Sequence, residues 1–155
     1  MKNTKKKKLL IEQLDKKMKV FRVSSSVIMP KKGWVNSVRT TIGMTLQQLA
    51  NRMKVSPQNV GELEKREANG SITINTLKDA ANALEMKLIY GFIPKDESLE
   101  KMIEKKARKI AFEIVNRTST SMRLEDQENN KKRIEKSIKI KTKEIMDEIP
   151  KYLWD

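Results

Sequence analysis

The stretch TLQQLANRMKVSPQNVGELEK, residues 45–65, constrains the fold more than any other part of the chain. Its spacing predicts two short helices joined by a tight turn. Leu46, Leu49, Ala50 and Met53 recur at helical intervals. Val55 is placed to plug the turn. Ser56 can cap the second helix, and Pro57 suits its first position, where no amide hydrogen bond is lost. Val60 and Leu63 then face a core, which leaves Gln58, Asn59, Gly61 and Glu62 pointing outward. An exposed polar row on the second helix of such a pair is what reading a DNA major groove requires.

The 155 residues have room for one domain with appendages and can bury a core without covalent staples. Cysteine and histidine are both missing, which removes disulfides, thiolate metal sites and histidine acid–base chemistry. Neither a phosphate-binding glycine loop nor a dinucleotide fingerprint is present. We therefore expect no enzyme, no cofactor and no metal site. No apolar run is long enough to span a bilayer, and no signal-type stretch follows the lysine-rich start, so a cytoplasmic protein is expected.

The net charge of +14 is unevenly spread. Residues 1–32 hold eleven Lys or Arg against Glu12 and Asp15, whereas residues 33–94 net +2 and residues 95–155 net +3. A basic N-terminal arm of this kind suits a polyanion; the plainer reading is a solvated tail. Within it Leu10, Leu14, Met18 and Phe21 form an apolar stripe, expected to dock on the body or on a partner rather than on a membrane.

The pattern divides the chain into a basic helical arm and linker (1–32), a helical DNA-binding domain (33–94) and a helical extension for partner or dimer contacts (95–155). The fold class expected is mainly α. Trp34, Val35, Val38 and Ile42 fit a first helix that Gly43 ends, and Thr45 with Gln48 has capping-box spacing. The helix carrying Val60 and Leu63 ends near Lys65, and Asn69–Gly70 marks a turn. Thr73 can cap a fourth helix bearing Leu77, Ala80, Ala81 and Leu84. KLIYGFI, residues 87–93, is apolar on both faces and reads as a short buried strand, or else as a core-packing extension of that helix. A lone strand needs a partner, and the same strand from a second subunit would supply it, giving a two-fold homodimer suited to palindromic DNA. Leu99, Met102, Ile103, Ala107, Ile110, Ala111 and Ile114 form the stripe of a long helix broken by residues 116–121. Ile134, Ile138, Ile145 and Ile149 mark a last one.

Residues 33–64 resemble the lambda-repressor-like (Xre-type) helix-turn-helix family. GWVNSVRTTIGMTLQQLANRM, LEKREANGSITINTLKDAANALEMKLIYGFIP and MRLEDQ resemble, over about residues 33–127, the smaller group called mobile mystery protein A. That resemblance implies a transcription-regulating antitoxin encoded beside a Fic-domain protein, mobile mystery protein B. Fic domains commonly transfer nucleotide monophosphate groups to protein hydroxyls. It also implies that Arg39, on the first helix, pairs with Glu64 at the end of the recognition helix. The family's base-reading positions fall on Pro57, Gln58, Asn59 and Glu62. Gln58 or Asn59 suits a bidentate contact to adenine, and Glu62 can accept from cytosine N4 or instead pair with Arg66. Phosphate contacts are expected from Thr45, Gln47, Lys54, Ser56, Lys65 and Arg66, with the basic arm entering an adjacent minor groove. Two positions depart from the family: leucine replaces a phosphate-touching glutamine at Leu46, and lysine replaces a turn glycine at Lys54.

The leading expectation is thus a dimeric, sequence-specific DNA-binding regulator, an autoregulating antitoxin-like repressor. The alternative is a protein–protein inhibitor of a Fic-domain partner, acting through residues 95–155. Ser121 followed by Glu125 resembles the inhibitory segment of Fic systems, although a helix cap with a solvated glutamate explains the same residues.

Overall fold

A computed structural model describes residues 2–119 and 127–155. The described chain is mainly α-helical. It divides into two compact units, one of residues 26–91 and one that joins residues 1–25 to residues 92–155. The N-terminal helix is thus part of a unit with the C-terminal helices.

The central unit holds four helices: α2 (Gly33–Thr41), α3 (Leu46–Met53), α4 (Pro57–Ala68) and α5 (Ile74–Ala83). Side-chain caps start three of them. Thr45 accepts the Gln48 amide at 3.2 Å while the Gln48 side chain accepts the Thr45 amide at 2.8 Å, the reciprocal pair of a capping box. Ser56 accepts the Asn59 amide, Pro57 fills the first turn of α4, and Thr73 accepts the Thr76 amide. Val35, Leu49, Ala50, Val60, Leu63, Ala80 and Leu84 form the core, with Val38, Leu46, Met53 and Leu77 packed around it. Trp34 and Ile42, also assigned to the first helix, are exposed.

Three expectations change here. Val55 does not plug the turn: it is 39% exposed, and its amide donates to the Ala50 carbonyl to close the bend through the backbone. α4 runs one turn beyond Lys65, to Ala68, because Glu67 belongs to its buried face. Residues 87–93 form neither a strand nor a helix among the described residues, and they are not buried. Tyr90 is 66% and Phe92 79% exposed, so the apolar side chains lack the second layer that a buried strand needs.

In the other unit, α1 (Lys2–Arg22) packs with α6 (Leu99–Ser119) and α7 (Gln127–Glu148), and a 3₁₀ turn, Lys151–Trp154, closes the chain. Ile103, Ala107, Ala111, Ile145 and Leu153 are buried, with Ile11, Ile110, Ile114, Ile138 and Ile149 around them. The two alanines of α6 remove side-chain bulk where α7 lies against it. The stripe expected on the arm holds only in part: Met18 and Phe21 are half-buried, but Leu10 and Leu14 are exposed, and Ile11 packs against the core instead. Asp15 fixes the rotation of α1 by accepting the amides of Leu99 at 2.7 Å and Glu100 at 3.3 Å, two donors that the start of α6 leaves over. α6 continues past Asn116 to Ser119, with the Thr118 hydroxyl donating back to Ile114 and Val115 carbonyls. Among the described residues no helix is long and apolar enough to cross a membrane.

Candidate nucleic-acid interface

The candidate site is built on α4, whose two faces differ completely. Val60, Leu63, Glu64 and Glu67 recur at three- and four-residue steps and are all buried. Gln58, Asn59, Glu62, Lys65 and Arg66 lie on the remaining arc and are all exposed, with Pro57 half-buried at the helix start.

Two buried carboxylates hold α4 against α2. The Arg39 guanidinium donates to Glu64 through Nε at 2.6 Å and Nη2 at 3.1 Å, a two-point contact. A third Arg39 donor reaches the Met44 carbonyl at 2.9 Å, and Asn36 Nδ2 donates to Glu64 Oε2 at 2.6 Å. The Glu64 hydrogen bond, opposed by burial, raises the Arg39 pKa above its ordinary value, so the guanidinium is charged at any accessible pH. Three residues on, Glu67 accepts the amides of Trp34 at 2.8 Å and Val35 at 2.9 Å. These are donors that the start of α2 leaves without carbonyl partners. No buried side-chain polar atom among the described residues lacks a hydrogen bond. Asn36 and Glu67 do not stand out in the sequence as anchoring residues. The available signal is that Glu67 continues the period of Val60, Leu63 and Glu64.

Glu62 pairs with Lys65, three residues on, at 2.7 Å, and not with Arg66, four residues on. The hydrogen bond and charge of Lys65 hold the Glu62 carboxyl below the usual carboxylate range, and Glu62 raises the Lys65 ammonium in return. The charge of Arg66 lowers the Glu62 carboxyl further, as a smaller contribution.

The turn between α3 and α4 exposes Lys54, Val55 and Ser56. Lys54 caps α3 in the left-handed conformation, φ 56° and ψ 43°. That conformation favours glycine, so lysine sits here at a cost of about 1–2 kcal/mol. Leu46 is half-buried against the core, which accounts for an apolar residue at the start of α3. The exposed Gln47 side chain donates to Asn51 at 2.8 Å. Thr45 and Ser56 use their hydroxyl oxygens as cap acceptors, which leaves each hydroxyl hydrogen available to donate outward. Thr45, Gln47, Lys54, Ser56, Lys65 and Arg66 are all exposed on the unit that carries α4. Ser121 and Glu125 lie outside the described residues.

No protein-family model matches the chain, and no curated protein or solved structure matches it either.

Proposed function

We propose that the chain is a sequence-specific DNA-binding transcription regulator in which α3, the turn at Lys54–Ser56 and α4 act as a lambda-repressor-like helix-turn-helix. The observation that carries this reading is the division of α4. One face is anchored by two apolar residues and two carboxylates, and the other presents Gln58, Asn59 and Glu62 from the first turns of the helix. A recognition helix needs both properties, a fixed rotation and a polar row free to meet base edges.

In this reading Gln58 and Asn59 contact bases, Lys54, Lys65 and Arg66 neutralise phosphates, and the Thr45 and Ser56 hydroxyls donate to phosphate oxygens. The exposed apolar segment 87–93 pairs with its copy in a second subunit, forming a homodimer on a palindromic operator. The resemblance to mobile mystery protein A adds that the regulator is antitoxin-like, represses its own gene and has a Fic-domain partner.

The test is fluorescence anisotropy with a duplex from upstream of the gene and a scrambled duplex, at about 150 mM salt, where a specific regulator separates the two by about a thousandfold or more. Gln58→Ala should remove about 1–3 kcal/mol on the upstream duplex and nothing on the scrambled one. Equal losses on both would reject base reading by α4.

A further inference from the structure

The N-terminal lysines are set on a helix docked in its own unit, and that placement gives them a defined use. α1 turns Ile11 into the core, while Asp15 reaches the start of α6 and the Lys7 ammonium donates to the Glu148 carbonyl at 3.0 Å. Anchors at 7, 11 and 15 fix the rotation of the helix. Lys5, Lys6, Lys16 and Lys17 are then exposed on the side away from those anchors. The two pairs are eleven residues apart, three helical turns, so they stand on one face about 16 Å apart along the axis. Of the two acids in residues 1–32, Asp15 is spent on α6 amides, and Glu12 lies on the flank of this face.

We propose that this lysine face is a second DNA-binding surface, one that holds the phosphate backbone without regard to sequence. Double-stranded DNA is the occupant that the charge distribution fits. Its closely spaced phosphates can engage both lysine pairs at once, and release of condensed counterions drives the association. A lipid surface is the competing occupant, because Leu9, Leu10, Leu14 and Val20 stay exposed on α1 while Ile11 packs against the protein core, and the vesicle measurement below separates the two. α1 cannot thread a minor groove as an extended arm, because it is helical from Lys2 to Arg22. The proposal stands apart from base reading by α4, since it concerns a different unit and a sequence-independent mode of binding.

The experiment compares the full chain with a Lys5→Gln/Lys6→Gln/Lys16→Gln/Lys17→Gln variant on a random duplex across a salt series. Glutamine preserves helix propensity, and circular dichroism checks that α1 remains. The variant should flatten the log–log salt slope by about 0.9 for each phosphate it no longer neutralises, about 3 to 4 in all, and the four-arginine variant should keep the original slope. The ratio of upstream to scrambled duplex should not move, which separates this surface from α4. An unchanged slope overturns the proposal. So does an unchanged slope accompanied by lysine-dependent binding to phosphatidylserine vesicles, which would give the face to a membrane.

Discussion

Glu67 lies so close to Gly33 that a methyl group on the glycine would sit 2.6 Å from the Glu67 Oε2. The close approach exists because the carboxylate must come under the first turn of α2 to accept the Trp34 and Val35 amides. Gly33 also has φ +81°, where a side chain is strained on its own account. Gly33→Ala should therefore combine backbone strain with a displaced cap, a loss of about 2–3 kcal/mol. Urea unfolding read by Trp34 fluorescence in a Trp154→Phe background measures it. A loss under about 0.5 kcal/mol, the range of an ordinary surface change, would mean that Glu67 moves aside freely.

Removing either partner of the Arg39–Glu64 pair leaves a buried charge alone. Arg39→Ala or Glu64→Ala should each destabilise the central unit by about 3–5 kcal/mol. The double variant should lose much less than the sum, because the second change removes the stranded charge. Simple additivity in the unfolding free energies would show that the two side chains act separately. Because the arginine pKa is raised, its contribution is present below its ordinary value and lost only above the raised one, beyond any working pH. Stability should accordingly show no arginine-dependent step between about pH 5 and 9.

Lys54 exchanges stability for a cation in the turn. Lys54→Gly should stabilise the chain by about 0.5–1 kcal/mol, since relief of left-handed strain is partly offset by the entropy glycine adds to the unfolded state. The same variant should bind every duplex more weakly and with a shallower salt dependence, if Lys54 holds a phosphate. Higher stability with unchanged DNA affinity would remove Lys54 from the interface.

The Glu62 carboxyl is depressed by Lys65, so it stays ionised through neutral and mildly acidic solution. A depressed carboxyl contributes stability above its unfolded pKa and loses it as pH falls through the folded one, on the acid side of the usual carboxylate range. Lys65→Ala should return the Glu62 titration towards the ordinary value, measured by NMR of the side-chain carboxyl carbon. If α4 meets DNA as proposed, the variant should also weaken all duplexes alike, because the unpaired carboxylate would then face phosphate. An unmoved titration would mean that the pair does not persist in solution.

Asp15 offers a readout in the other unit. Asp15→Ala takes away acceptors for two amides at the start of α6 and should cost about 1 kcal/mol, with faster hydrogen exchange in α1 and the first turn of α6. Equal exchange in the two proteins would mean that Ile11 and Lys7 suffice to hold α1.

What can be read from the residues is what neighbours in sequence decide. The caps at Thr45, Ser56 and Thr73 depend on side chains three positions from the amides they serve, and the buried positions of α3 and α4 follow a local period. The rotation of α1 is not legible. Leu10 and Leu14 form as good a stripe as any, and it takes distant partners, the Leu99 and Glu100 amides and the Glu148 carbonyl, to select the side bearing Lys7, Ile11 and Asp15. Glu67 escapes notice for a related reason: a glutamate among lysines and arginines reads as solvated until α2 arrives above it. The segment 87–93 has strong strand propensity, but propensity says nothing about whether a second layer exists to bury it, and within a single chain its side chains stay exposed.

The grip of Glu64 and Glu67 on α2 works like two keys on one shaft. α4 cannot turn about its axis without breaking hydrogen bonds at both ends of the neighbouring helix, and none of those bonds involves residues 58, 59 or 62. The outward row is thereby uncoupled from the fold. Libraries varying those three positions should give proteins of nearly constant stability and different surface chemistry, so the exposed row can be rewritten without rebuilding the unit that carries it.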